Sequence, residues 1–251
     1  MQTQSLRLRQ DSSKTVLILS AVLFCLGLLL GGAFTVATVW ADLEAALFDP
    51  SLDADEALSS LRCPVLITGQ ETGQVSATFA NSSSRALLRT VRAHISYGFV
   101  TLMREEEEQF TLEPGESRRL EWAVTAEDAA WRHFVLVRIN ELRNSPLPSR
   151  TGTCGILVLN VPGLSGNQVV FLAGATAVLS MIVGVVLWAA GRRAASKQVP
   201  DLTRSMSVLV ALMLAAMVIS SRGQWMVGGL LLIFSALILV TMVTWAISRA
   251  T

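Results

Sequence analysis

The sequence predicts a membrane protein with four transmembrane α-helices and an all-β sandwich inserted between the first and second helices. Three observations predict it. Of the 251 residues, 52% are hydrophobic and only 16% are charged, and no Asp, Glu, Lys or Arg occurs in 15–41, 151–191, 205–221 or 223–248. Between the first two apolar runs the chain alternates apolar and polar residues with a period of two, interrupted by turn residues. That same segment holds 17 of the 19 acidic residues against 11 of the 20 basic ones, a net charge of −6.

A membrane-spanning helix needs about 20 apolar residues, with about 17 as the lower limit. The runs 15–41, 168–190 and 225–248 meet this comfortably, while 205–221, bracketed by Arg204 and Arg222, is marginal. The tail 1–14 carries Arg7, Arg9 and Lys14 against Asp11, and the connector 191–204 carries Arg192, Arg193, Lys197 and Arg204 against Asp201. Short loops rich in Lys and Arg stay in the cytoplasm. Both segments are therefore expected inside and residues 42–166 outside, with the C-terminus returned to the cytoplasm. Only Arg222, in the turn "SRGQ", opposes this arrangement. A signal peptide is the rival reading of the first run. Its apolar region would span about 7–15 residues; this run is far longer and its end, "TVATVWA", is a poor cleavage site. An uncleaved anchor is expected.

Residues 42–62 read as a juxtamembrane helical connector in two pieces broken at Pro50. Asp53 and Glu56 have capping-box spacing, and Leu47, Phe48, Leu52 and Leu58 are available to the membrane surface or to internal packing.

Residues 63–162 read as strands. In "GQVSATFANSS", Val75, Ala77 and Phe79 alternate with polar residues, and in "RTVRAHISY", Val91, Ala93, Ile95 and Tyr97 do the same; such alternation marks a strand with one buried face. "FTLEPGESRRLEWAV" reads as two strands around Pro114-Gly115, where Pro suits the second and Gly the third position of a type II turn. Its second strand buries Leu120, Trp122 and Val124. "RHFVLVRI" and "CGILVLNV" are apolar on both faces, as central strands are. About seven strands in roughly 100 residues point to a β-sandwich. The pattern "VSATFANSS … VRAHIS … FTLEPGESRRLEWAV … FVLVRI" resembles bacterial immunoglobulin-like sandwiches of the CARDB and related cell-surface type, over about 40% of the chain. That resemblance implies an immunoglobulin-like fold with a binding or spacer role, and carries over no functional residues.

Cys25 lies in the first apolar run, which leaves Cys63 and Cys154 in the outer domain. An oxidising exterior permits them to pair, and closing so long a loop stabilises by about 4–5 kcal/mol in the chain-entropy model. The alternative is two buried free thiols. Two thiols without nearby His or acidic ligands make a poor metal site.

Motifs that would signal catalysis are missing: there is no G-x-S-x-G, Walker A, dinucleotide fingerprint or H-E-x-x-H. His94 and His133 lack a Cys, Ser or carboxylate at a diagnostic spacing. No catalytic residue, metal site or cofactor is expected. "REEEEQ", 104–109, reads as a solvated hairpin, and Glu105, Glu106, Glu107 and Glu108 are the candidate surface for a basic partner. Asn81-Ser82-Ser83 matches the glycosylation sequon. No ionisable residue lies deep in a span, although ion pathways are marked by such residues. Gly27, Gly31, Ala173, Ala177, Ser180, Gly184, Gly228 and Gly229 offer small faces for helix contact. Trp40, Trp188, Trp225 and Trp245 sit near span ends, as interfacial anchors do. Met206, Met213, Met217 and Met226 read as packing or lipid contacts.

The expected function is that of a non-enzymatic plasma-membrane protein displaying its outer domain, as an accessory or scaffold subunit of an envelope complex. Its expected partners are the bilayer and one or more proteins, not nucleic acid. The alternative is the membrane component of a transport or mechanotransmission machine. The topology resembles MacB- and FtsX-type permeases, but the small outer domain and very short loop between helices 3 and 4 depart from them.

Overall fold

A computed structural model describes residues 2–50, 54–144, 148–193 and 200–248. The chain divides into two compact units: residues 1–36 with 171–251, and residues 37–170.

The first unit is helical. It contains most of α1 (Gln2–Leu47) and α2 (Gly166–Arg193), with all of α3 (Pro200–Ser220) and α4 (Trp225–Ser248). Among the described residues, four helices are long and apolar enough to cross a membrane: Thr15–Leu47, Gly166–Gly191, Leu202–Ser220 and Trp225–Thr244. At 1.5 Å per residue the 21 residues of α3 reach about 31 Å, enough for a hydrocarbon core of about 30 Å. One cluster, which includes Phe24, Leu28, Ala177, Met181, Leu209, Met213 and Met217, joins α1, α2 and α3. The small residues permit this approach. A Cβ on Gly27 would lie 2.7 Å from the Ala177 carbonyl oxygen, and one on Gly184 would lie 2.9 Å from Phe24 Cα. Buried hydroxyls are satisfied within their own helices: Thr35 donates to Gly31 O and Ser235 to Leu231 O, each at 2.8 Å, as an apolar surrounding requires. Met206, Met213 and Met217 are buried, whereas Met226 and Cys25 are exposed.

The second unit is a mixed β domain, flanked by the last turns of α1 and the first of α2. Its strands are β1 (Glu56–Ala57), β2 (Leu66–Thr68), β3 (Gly73–Ala80), β4 (Leu87–Tyr97), β5 (Phe99–Leu112), β6 (Ser117–Val124), β7 (Phe134–Glu141) and β8 (Arg150–Leu159). One sheet has the order β1-β8-β7-β4-β5, with β2 also on β8; β3 and β6 form the other. Both contribute to a single core that includes Val75, Phe79, Val91, Ile95, Trp122, Val137, Ile139 and Ile156. The strongly apolar β7 occupies the centre of the large sheet, where both of its faces are covered.

The large sheet is mixed, because β1 and β2 pair parallel with β8. Three expectations change. The second half of the 42–62 connector is not helical. Glu56-Ala57 is a strand whose register on Arg150 and Thr151 is reinforced by Asp55, which accepts the Ser149 N–H and O–H at 3.0 and 2.9 Å. These bonds, with Arg143 nearby, hold the Asp55 carboxyl below its ordinary range. Asp53 and Leu52 fall outside the described residues, Phe48 and Leu58 are buried within the β unit, and Leu47 is exposed. The Pro114-Gly115 turn forms, with Gly115 at φ +78° and the Glu116 N–H donating to Glu113 O. It joins no hairpin, however: β5 belongs to the large sheet and β6 to the small one, so the turn carries the chain between sheets. Buried Asn81 organises that corner, donating to Arg85 O and Leu112 O and accepting from Ser83. A side-chain amide buried and occupied in this way has no nitrogen to offer a glycan. Finally, "REEEEQ" is no solvated hairpin but the middle of the 14-residue β5.

Cys63 and Cys154 form a disulfide. The bridge joins β8 to the segment between β1 and β2, two strands that ladders of only two and three residue pairs hold weakly on β8.

Candidate functional site

The outer edge of β5 has no strand beside it in the described structure, because β5 pairs only with β4. A free edge presents a row of backbone donors and acceptors. Alternation then sends the glutamates to opposite faces. Glu105 and Glu107 stand opposite His94 and Arg92 on the face away from the core; Glu106 and Glu108 stand opposite Ala93 and Val91 on the core side.

The two pairs differ in electrostatics. Arg92 Nε lies 2.7 Å from Glu107 and 3.5 Å from Glu105. The Glu107 hydrogen bond raises the guanidinium's affinity for its proton. Arg104, one residue upstream on β5, pairs with Glu106 and donates to Ala123 O at 2.9 Å. Among the described residues Glu108 has no ion pair. The strand is therefore acidic but partly neutralised: Glu105 is 50% exposed and Glu107 46% exposed, so their remaining oxygens stay open to a partner. β5 can accept a basic surface along its glutamates or an extended segment along its backbone.

Beside this strand lies a constellation the sequence did not announce. His94 is buried, its Nδ1 2.5 Å from Asp49 Oδ2 and its Nε2 3.7 Å from Glu105. Its neighbour across the ladder is Arg138, which donates to Phe48 O at 2.9 Å and to the Asp49 carbonyl. The cluster thus sets a cation on the two carbonyls just past the C-terminus of α1, where the helix dipole favours one. Asp49 is 45 residues from His94, and only the docking of α1 on the sheet brings them together. Glu105 is within reach of a sequence argument through the β4–β5 register, but its charge run reads as a solvated hairpin. His133 is separate, exposed at a turn beside Phe134. Also unannounced is the buried ion pair of Arg89 with Glu141, where Arg89 additionally donates to Ala80 O at 2.9 Å. No group of three His, Cys, Asp or Glu suited to a metal occurs among the described residues.

Neither a family model nor a curated protein matches this sequence. Among solved structures, the chain is similar to a CARDB domain from Pyrococcus furiosus, determined with di-metal ions, at 14% identity and TM-score 0.31, covering 43% of this chain and 96% of that domain. It is also similar to parts of two large carbohydrate enzymes. One is a Paenibacillus cycloisomaltooligosaccharide glucanotransferase, at 15% identity, TM-score 0.31 and 42% of this chain. The other is a Bacteroides uniformis β-glucuronidase, at 12% identity, TM-score 0.29 and 38% of this chain. The match spans only 14% and 12% of those two enzymes. Likenesses this slight assign no activity, ligand or partner.

Proposed function

We propose that this is a non-enzymatic integral membrane protein that displays an immunoglobulin-like sandwich outside the plasma membrane, as an accessory or scaffold subunit of an envelope complex. The observation that carries the reading is the unpaired, acidic edge of β5, a surface built for recognition by a basic or strand-like partner. Two sheets around one core and four helices apolar enough to span a membrane support it.

The test is co-purification of the full-length protein from membranes in mild detergent, with Glu105, Glu106, Glu107 and Glu108 all changed to Gln. Charge contacts at a rim govern association rate and salt sensitivity more than fold stability, and exposed ion pairs contribute only about 0–1 kcal/mol. The variant should keep its melting temperature and lose partners, most clearly at low salt. An unchanged partner set would remove β5 from the interface.

A further inference from the structure

The end of the β domain from which the helices depart carries a concentration of exposed aromatic residues. Tyr97 closes β4 and pairs with Phe99 at the start of β5, and the carbonyl of Gly98 between them accepts the Trp131 N–H at 3.2 Å. Tyr97 is 55% exposed, Phe99 61% and Trp131 48%. The ladder register places them at the end of the sheet where β7 begins and β8 finishes, since Ile95 stands opposite Val137 and Phe134 opposite Leu157.

Both apolar helices join the domain at this same end. Ala37 and Ala41 of α1, and Val169 and Val170 of α2, pack in one cluster with Leu66 and Leu157. The first residue of α2 is fastened there too: the Gly166 N–H donates to Glu71 at 2.6 Å, and its Cα lies so close to the Leu66 carbonyl that a Cβ would come within 1.9 Å of the oxygen. Trp40, in the last apolar turns of α1, is exposed as well.

A second, independent observation concerns the backbone. Ala130-Trp131-Arg132-His133 is a tight turn closed by the His133 N–H on Ala130 O at 3.1 Å, with Trp131 at φ 50° and Arg132 at φ 64°. Two consecutive positive φ values define the type I′ geometry that Asn-Gly fills without strain. Here a large aromatic and an arginine occupy it, against their conformational preference, and the turn projects Trp131 into solvent.

We infer that this end of the β domain is seated in the headgroup region of the bilayer that its own helices enter, with Tyr97, Phe99 and Trp131 as interfacial anchors. Amphipathic aromatic rings favour that layer, and the adjoining Arg132 supplies a cation for lipid phosphate. The helices already bring the surface to the membrane, so lipid is the occupant that continuity of the chain selects.

Nitroxide labels placed at Phe99→Cys or Trp131→Cys, in full-length protein carrying Cys25→Ala, read this directly. The protein is held as one copy per phosphatidylcholine nanodisc, and collision with oxygen is compared with collision with a water-soluble nickel chelate. Ser84→Cys, at the opposite end of β4, is the aqueous reference. The expected result is a higher oxygen-to-nickel ratio at Phe99 and Trp131 than at Ser84. Ratios equal to that of Ser84 would overturn the inference. So would shielding from both reagents, which would mean that protein covers the surface. Should the Trp131 variant misfold, the Phe99 label gives the same reading alone.

Discussion

A methyl group at Gly155 would collide with the backbone of α1. Its Cβ would lie 2.0 Å from the Ala41 carbonyl oxygen, and the Gly155 N–H donates at 3.0 Å to Asp42, a residue of the same helical turn. The contact has a topological cause: Gly155 lies between the stretches of β8 that β1 and β2 cover, so the helix supplies the acceptor that a neighbouring strand otherwise would. A rigid backbone cannot yield as a flexible side chain does, and overpacking of this kind costs about 1–3 kcal/mol. Gly155→Ala should therefore lower the melting temperature of the β unit by several degrees, followed by tryptophan fluorescence of the full-length protein in detergent. Gly32→Ala, whose Cβ would meet nothing within 4 Å, is the control expected to leave that transition in place. Equal melting of the two variants would mean that α1 is not docked on β8.

At the scale of elements, the disulfide is the feature whose removal has the largest expected effect. It closes a separation of 91 residues, for which the chain-entropy model gives about 4–5 kcal/mol. Its partners β1 and β2 are too short to hold their places on β8 by ladder bonds alone. Cys154→Ser should melt the β unit at a much lower temperature while the helical unit keeps its own transition; reducing agent should bring the wild-type protein to the same value and leave the variant unmoved. A variant as stable as the wild type would show that the bridge contributes nothing to the fold. The pairing was legible because only two cysteines lie outside the apolar runs. Strands β3, β4, β6, β7 and β8 were legible for a similar reason, as one buried face imposes strict alternation and a central position imposes apolarity on both faces. β5 was not. Its middle reads as polar throughout, because its alternation is one of charge, answered by Arg92 and His94 on one face and by Arg104 on the other. The same misreading hid the Asp49–His94–Glu105 cluster, which exists only once β5 is a strand and α1 is docked. β1 was read as helix because local capping spacing pointed that way, whereas its pairing with β8 is a contact across 94 residues that no local pattern encodes.

For the whole molecule, the open question that charge can decide is which side of the membrane the β domain faces. Seven basic residues flank the apolar runs at 7–14 and 192–204, while residues 42–166 carry a net charge of −6. We propose on the positive-inside rule that both termini lie in the cytoplasm and the β domain outside. The disulfide bears on the same point independently, since such bonds persist in oxidising compartments and are rare in the cytosol. Arg222 alone argues for the opposite arrangement, and one residue in a tight turn weighs little against seven. In a Cys25→Ala background the paired Cys63 and Cys154 do not react with maleimide, so a single introduced thiol reports its own location. Ser84→Cys, at an exposed position of the β unit, should be labelled by a membrane-impermeant maleimide on intact cells. Ser12→Cys and Ser196→Cys should be labelled only after permeabilisation. The reverse pattern would invert the topology. Labelling of Ser12→Cys and Ser196→Cys on opposite sides would show that α1 or α2 fails to cross.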